Sequence, residues 1–225
     1  MPHMGTLFLV RHGQASLGAD DYDVLSALGR RQSVRLGEYF RDRGLVFEAA
    51  LTGTLRRHRQ TFDGICIGLG APLAASAWPG LNEYDSDALI EAIHPSPRER
   101  PATPEGYRQH FRLLRDALAQ WMAGATQPRG MPSHADFVAG IAEALAHVRH
   151  QHTGNVLLVS SGGPIATAVG QVLGTSADTT IALNLRIRNS AVTEFEFNAR
   201  RHLLMTYNTL AHLDAPQYAG WATYA

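Results

Sequence analysis

The sequence predicts an α/β fold: a three-layer sandwich with a mainly parallel central sheet, helices on both faces and a helical insertion. Three observations lead to this prediction. Short apolar runs alternate along the chain with segments whose apolar residues have helical spacing. The strongest run, 155–160 (NVLLVS), is almost continuously apolar, which is typical of a strand buried on both faces. Near the C-terminus two strand-like segments flank a short polar turn, which indicates a hairpin.

The first third of the chain contains alternating strand and helix signals. The predicted strands are 6–10, 47–51 and 72–78, and the predicted helices are 27–43 and 54–69. Ser26 is a good N-cap for the first helix because its hydroxyl can accept a backbone N–H of the first turn. Gly44 and Gly70 follow the two helices, where a glycine commonly ends the last turn. The order of these elements is that of a parallel sheet with crossover helices.

The remaining chain continues the pattern after a long interruption. Residues 79–102 carry several prolines and predict a long surface excursion, and we expect 85–132 to form a helical and loop insertion or lid within one domain, 1–225. The later predicted helices are 105–123, 133–150 and 162–173, and the later predicted strands are 155–160, 191–197 and 203–207. In the first of these helices, Phe111, Leu114, Leu118 and Met122 form the predicted apolar face.

Composition excludes several classes of protein. Twenty basic and twenty acidic residues give a net charge of zero, so we expect neither a nucleic-acid partner nor a polybasic membrane-binding surface. A single cysteine cannot form an internal disulfide, which favours a reducing compartment. The N-terminal apolar run, 7–10, is too short for a signal sequence or a membrane span. We therefore expect a cytoplasmic protein.

Common catalytic motifs are missing from the sequence. It has no GxxxxGK[ST] phosphate loop, no GxGxxG fingerprint after the first strand and no GxSxG elbow. Cys66 lacks the arginine six positions later that a cysteine phosphatase needs. His147, His150 and His152 cluster at a helix C-terminus without a cysteine or carboxylate to complete a ligand set, so we interpret them as solvated. No metal and no cofactor are expected.

Three segments place polar groups where predicted strands end: Arg11-His12-Gly13, the basic helix start around Arg57, and Ser160 to Gly163. Open α/β sheets bind ligands at this edge. Arginine suits phosphate because its planar guanidinium donates two parallel hydrogen bonds. Glycines at a helix N-terminus also let backbone N–H groups approach an anion. The three segments together predict a phosphate pocket.

In their order along the chain, these segments resemble the histidine phosphatase superfamily, also called phosphoglycerate-mutase-like. The matching segments are Arg11-His12-Gly13, 25–32 (LSALGRRQ), 54–61 (TLRRHRQT, against the family's S-x-L-x-R-A-x-Q-T), 81–83 (LNE), 159–163 (VSSGG) and 189–193 (NSAVT). Arg-His-Gly by itself is a weak signal, whereas the ordered set is specific and covers nearly the whole chain.

The resemblance implies a phosphomonoester hydrolase acting on a small phosphorylated substrate. His12 would be the nucleophile that becomes a phosphohistidine. Arg11 and Arg57 would hold the phosphoryl oxygens, and Glu83 would protonate the leaving group and then activate water. The implied phosphate-binding residues are Arg11, Arg57, Ser161, Gly162 and Gln14. The basic neighbours of Arg57, namely Arg56, His58 and Arg59, are interpreted as a solvated helix face.

One departure from the family pattern concerns its last active-site turn, normally Ser-His-Gly, where this chain has Ser161 at the histidine position. A hydroxyl donates a hydrogen bond without charge, so we expect a loss on the order of 1–2 kcal/mol, or about 5- to 30-fold in rate. His94 or His110 could fill the gap. Alternatively, the protein binds phosphorylated ligands without turnover.

The proton donor and the substrate each have a second candidate. Asp85 could replace Glu83 as proton donor. A phosphoglycerate mutase is disfavoured, because the family's mutases have basic residues after the acid segment, where this chain has Asp85 and Asp87. Arg98 and Arg100 could contact a second anionic group, although an exposed loop is the simpler interpretation.

Overall fold

The computed structural model describes residues 4–16, 23–96, 101 and 103–224. Its strands are β1 Gly5–Arg11, β2 Ala49–Thr52, β3 Ala75–Ala77, β4 Asn155–Ser160, β5 Val192–Asn198 and β6 Arg201–Thr209. Its α-helices are α1 Ala27–Asp42, α2 Arg56–Leu69, α3 Ser86–Ile93, α4 Pro104–Met122, α5 His134–Gln151, α6 Gly162–Leu173 and α7 Ala177–Asn184. No helix in the described part of the chain is long and apolar enough to cross a membrane.

The six strands form one mixed sheet in the order β3-β2-β4-β1-β5-β6. Strands β1 to β4 are parallel, whereas β5 runs antiparallel to β1 and pairs with β6 as a hairpin. The prediction of a mainly parallel α/β sheet ending in a hairpin is confirmed. Because β1, β2 and β4 are adjacent and parallel, the segments that follow them meet at one edge of the sheet.

Both faces of the sheet are covered by helices. In β1, Phe8 and Val10 face a smaller core with α1 and α2, whereas Leu7 and Leu9 face a larger core with α4, α5 and α6. The side chains of a strand point alternately to its two faces, so a strand covered on both sides must be apolar at every position. This explains the continuous apolar runs in the sequence.

Predicted helix boundaries agree with the observed caps. Ser26 caps α1 by accepting the N–H of Gly29. Gly44, Gly70 and Gly174 follow α1, α2 and α6 with φ of 66°, 68° and 66°, a left-handed conformation that only glycine adopts without steric cost. These local signals are reliable because they depend on a few neighbouring residues.

Two helices were not predicted, α3 and α7, each of eight residues. A segment of about two turns shows little periodicity, and α3 lies in the proline-containing stretch that we interpreted as loop. Leu89 and Ile90 of α3 are fully buried in the larger core, together with Leu114 and Leu118 of α4. On α4, Phe111 was expected on the apolar face but is 40% exposed.

Candidate active site

His12 follows β1 and is buried at the sheet edge, with 2% of its surface exposed. Its Nδ1 lies 2.7 Å from the carbonyl oxygen of Gly13. A carbonyl oxygen can only accept, so Nδ1 carries the ring proton and Nε2 keeps its lone pair. Burial lowers the pKa of His12 well below the usual value, and the charges of Arg11 and Arg57 lower it further. The ring is therefore neutral near pH 7.

The backbone around His12 is held from several sides. The N–H of Gly13 donates to Thr61 Oγ1 at 3.0 Å, and that hydroxyl donates to the carbonyl of Arg57 at 2.8 Å. A Cβ added at Gly13 would lie 2.4 Å from the carbonyl oxygen of Gly29 in α1. The glycine thus permits the loop to lie directly on the helix, which fixes the position of His12.

Arg11 and Arg57 both reach this edge and are anchored by protein groups. Arg11 Nη1 donates to the carbonyl of Ile187 at 2.5 Å and to the carbonyl of Tyr224. Arg57 is 7% exposed, and its Nη1 donates to Asp23 Oδ1 at 2.8 Å. Sequence reasoning missed Asp23, which lies before the first helix and outside every motif we recognised.

Glu83 lies at the N-terminus of α6, where the N–H of Gly163 is 3.2 Å from each carboxylate oxygen. Burial raises the pKa of Glu83, whereas the Gly163 hydrogen bond and the charges of Arg57 and Arg11 oppose the shift. A Cβ at Gly163 would lie only 2.2 Å from Glu83 Oε1. The glycine is therefore required for the carboxylate to occupy this position.

Asp85, the alternative acid, has a different environment. Its side chain is exposed and caps α3 by accepting the N–H groups of Asp87 and Ala88 at 2.9 and 3.1 Å. Its carboxylate thus caps a helix start, whereas that of Glu83 is partly buried and close enough to Arg57 and Arg11 to feel their charges. Of the two carboxylates, that of Glu83 is the one near the two arginines beside His12.

The remaining predicted phosphate-binding residues border the same edge. Ser161 and Gly162 are buried where β4 turns into α6. The N–H of Gln14 donates to Gln32 Oε1 at 2.8 Å, and Gln14 Oε1 accepts from the hydroxyl of Ser26 at 2.8 Å. These bonds orient the amide of Gln14. The structure therefore assembles all the predicted site residues around the ends of β1, β2 and β4.

The interpretation of His58 as a solvated residue is wrong. Arg56 and Arg59 are exposed, but His58 has no exposed surface, and its Nε2 lies 2.7 Å from Ser161 Oγ. The ring centroids of His12 and His58 are 5.8 Å apart. A signal was present, because the family motif has alanine at the position after its arginine, where this chain has His58. Neither His94 nor His110, the histidines we considered, is the hydrogen-bond partner of Ser161.

Asn189 and Ser190, in the matching segment 189–193, form a second support for the backbone at His12. The N–H of Ser190 donates to the carbonyl of His12 at 3.2 Å, and Ser190 has a φ of 56°. The carbonyl of Thr223 accepts from the N–H of Asn189 at 2.8 Å. The C-terminal segment is thereby joined to the site, a contact with no signal in the sequence.

A small cleft that opens to solvent adjoins Glu83 at Gly163. Its lining includes three aromatic side chains, those of Tyr84, Trp121 and Phe137. Asn184 adds a polar group and donates to the hydroxyl of Tyr84 at 2.7 Å. Arg98 and Arg100, considered as contacts for a second anion, lie outside the described residues.

Similarity to solved structures agrees with the observed fold. The chain is similar in fold to phosphoglycerate mutase from Bacillus anthracis (18% identity, TM-score 0.66, 94% of this chain and 96% of that one). It is also similar to a mycobacterial glucosyl-3-phosphoglycerate phosphatase (23%, 0.65, 92% and 100%). A third similar structure is phosphoserine phosphatase from Entamoeba histolytica (19%, 0.66, 93% and 99%). A comparison with curated protein sequences found no match.

The family comparison covers most of the chain. Residues 7–210 match the model of the histidine phosphatase superfamily, branch 1. This range runs from β1 to the end of β6 and includes each of the residues assembled at the sheet edge except the C-terminal segment. The match agrees with the resemblance carried by the ordered motifs. The chain is a member of the histidine phosphatase superfamily.

Proposed function

We propose that this protein hydrolyses small phosphomonoesters through a phosphohistidine on His12. The observation that carries the proposal is the hydrogen bond from His12 Nδ1 to the carbonyl of Gly13. It leaves the Nε2 lone pair available to attack phosphorus in line, with the ester oxygen as leaving group. Burial and the adjacent arginines keep the ring neutral, so the nucleophile needs no prior loss of a proton.

Arg11 and Arg57 hold the phosphoryl oxygens and stabilise the charge that spreads over them in the transition state. A guanidinium has five N–H donors, so anchoring of Nη1 on Ile187 or Asp23 is compatible with donation to phosphate. Gln14 and the N-terminus of α6 at Gly162 complete the phosphate-binding set. The arginines supply the positive charge, and the proposed mechanism assigns no step to a metal or cofactor.

Glu83 acts first as acid and then as base. Its raised pKa favours the protonated carboxyl, which donates its proton to the leaving-group oxygen as the P–O bond breaks. The resulting carboxylate then accepts a proton from water, whose oxygen attacks phosphorus and displaces His12. Phosphate leaves with the water oxygen, and Glu83 is again protonated. The leaving group is proposed to occupy the aromatic cleft next to Glu83.

Ser161 takes the place of the family's second active-site histidine in this proposal. It contributes a neutral hydrogen bond where the family has a group that can carry charge. Taken alone, this change lowers turnover by about 5- to 30-fold. The same substitution underlies the alternative function, a protein that binds phosphorylated ligands without turnover.

One experiment distinguishes the two functions. Wild-type protein and the His12→Ala variant are mixed with p-nitrophenyl phosphate and with a panel of phosphorylated metabolites, and samples are quenched in alkali. We expect a burst of p-nitrophenol and an acid-labile phosphoprotein from the wild type, and neither from His12→Ala. If the wild type binds phosphate by calorimetry but hydrolyses no phosphomonoester, the hydrolase is excluded and the ligand-binding function is supported.

A further inference from the structure

His58 is a buried polar group for which the mechanism above has no role. It lies in the first turn of α2, directly after Arg57, and its side chain points to the N-terminus of α6. A Cβ added at Gly53, which follows β2, would lie 2.2 Å from His58 Nδ1. The absence of a side chain at Gly53 therefore provides the space for the ring.

The hydrogen bonds of the ring indicate its tautomer. Among the described residues, His58 Nδ1 has no hydrogen-bond partner, although it is buried. Orphaned buried N–H groups are rarer in proteins than under-satisfied acceptors, so the unpartnered Nδ1 is the bare nitrogen. The proton then lies on Nε2, and Nε2–H donates to Ser161 Oγ across 2.7 Å.

This direction determines where the Ser161 proton goes. Ser161 is the N-cap of α6, but its side chain makes no capping hydrogen bond. Its oxygen accepts from His58, so its own O–H must find an acceptor elsewhere. The pair lies beside His12, whose ring centroid is 5.8 Å from that of His58. An oxygen of a phosphoryl group held at His12 is the acceptor that fits this position.

We propose that His58 is a positioning residue of the phosphate pocket, which fixes the Ser161 hydroxyl as a hydrogen-bond donor to a phosphoryl oxygen. The pair does this without carrying charge. Burial, together with the charge of Arg57, lowers the pKa of His58 to about 3, so the ring is neutral at physiological pH. The catalytic role of this pair rests on the proposed function. Its contact with a phosphoryl group is a matter of binding and can be tested without turnover.

The test measures binding of orthovanadate, a mimic of the phosphoryl group, by calorimetry. The variants are Ser161→Ala, His58→Ala and the double variant, with p-nitrophenyl phosphate kinetics measured alongside. A hydrogen bond to a charged group is lost in each case, so we expect each single variant to weaken vanadate binding by roughly 10- to 100-fold. Because the two residues act as one unit, the double variant should lose no more than either single one.

Two further variants separate positioning from general damage to the core. His58→Gln retains an N–H at a similar distance and should bind vanadate within about threefold of wild type. The matched control is His202→Gln, since burial also lowers the pKa of that histidine, to about 4. His202 pairs with Phe197, which pairs with Gly5 at the opposite end of β1 from His12. The control should leave vanadate affinity unchanged.

Each outcome decides the proposal. Wild-type vanadate affinity in Ser161→Ala would overturn it, and so would losses of affinity that multiply in the double variant. If His58→Ala fails to fold, the result for Ser161→Ala still decides. An acid-stable phosphoserine at Ser161 would also overturn it, since His58 would then be the base of a serine nucleophile. Coupled vanadate binding without hydrolysis by the wild type would reject the proposed hydrolase while supporting the positioning role.

Discussion

Gly163→Ala is expected to disable the proposed acid while leaving the phosphate pocket intact. The new Cβ would lie 2.2 Å from Glu83 Oε1 and 2.6 Å from Tyr84 Cε1, whereas such contacts below 3.0 Å essentially do not occur. The carboxylate must therefore move by about 1 Å, a misplacement that can cost on the order of 100-fold in rate. The backbone of α6 accepts alanine here, because the residue is helical. The change is thus steric and local to Glu83 and the neighbouring ring of Tyr84.

The size of the effect should depend on the leaving group. An alkyl phosphate needs a proton on its departing oxygen, so kcat/KM, which reports the phosphorylation of His12, should fall about 100-fold or more. p-Nitrophenolate leaves without that help, so kcat/KM for p-nitrophenyl phosphate should fall less than about tenfold. Its kcat should fall further than its kcat/KM, because dephosphorylation of His12 limits turnover and uses Glu83 as base.

Steady-state kinetics on the two substrates, with thermal unfolding as a check of folding, tests this reasoning. Gly106→Ala in α4 is the matched control, because its Cβ would meet nothing nearer than 3.3 Å. It should keep wild-type kinetics on both substrates. Equal losses of kcat/KM on the two substrates, or no loss on the alkyl phosphate, would refute the assignment of Glu83 as the acid that Gly163 positions.

Further predictions concern the two carboxylates, the space at Gly53 and the buried histidines. Glu83→Gln should remove the alkaline limb of the pH profile of kcat/KM, because the raised pKa of Glu83 produces that limb. Asp85→Ala should keep the pH profile, but the lost cap of α3 should lower the free energy of unfolding by about 1 kcal/mol in urea. Gly53→Ala should weaken vanadate binding as much as His58→Ala, because the new Cβ displaces the ring. His58 and His212 both have pKa values lowered to about 3 from 6.5, so the unfolded chain binds more protons below pH 6.5. The free energy of unfolding should therefore fall as the pH decreases from 6.5 to about 3, with a slope that approaches about 1.4 kcal/mol per pH unit for each histidine. His212→Gln should reduce the slope in this range by that amount in urea titrations, and an unchanged slope would contradict the prediction.

The sheet and its edge were predictable because their signals are local. A strand covered on both faces must be apolar at consecutive positions, so β1 and β4 were visible as runs. The polar groups that end those runs, His12 and Ser161 among them, necessarily lie at the carboxyl edge of a parallel sheet. The short helices α3 and α7 were missed because two turns provide little periodicity.

The choice between neighbouring side chains required the tertiary structure. The basic run at the start of α2 contains four candidates, and successive helical residues point about 100° apart. Two of them, Arg57 and His58, face inward, whereas Arg56 and Arg59 are exposed. The helical pattern alone does not show which two are buried; only the family motif, with its arginine followed by alanine, distinguishes these two positions. Likewise, Glu83 and Asp85 are two residues apart, and only the position of α6 shows which carboxylate accepts from its N-terminus and which caps α3.

By itself, the sequence determined the α/β fold class, the order of most elements and the set of residues gathered at one sheet edge. These depend on periodicity and on strand ends, which are properties of short segments. Only the tertiary structure decided that His58 contacts Ser161, 103 positions later in the chain. That contact depends on the space at Gly53 and on how α2 and α6 pack against the same edge. Such a relation between distant residues is absent from the local pattern of a single chain.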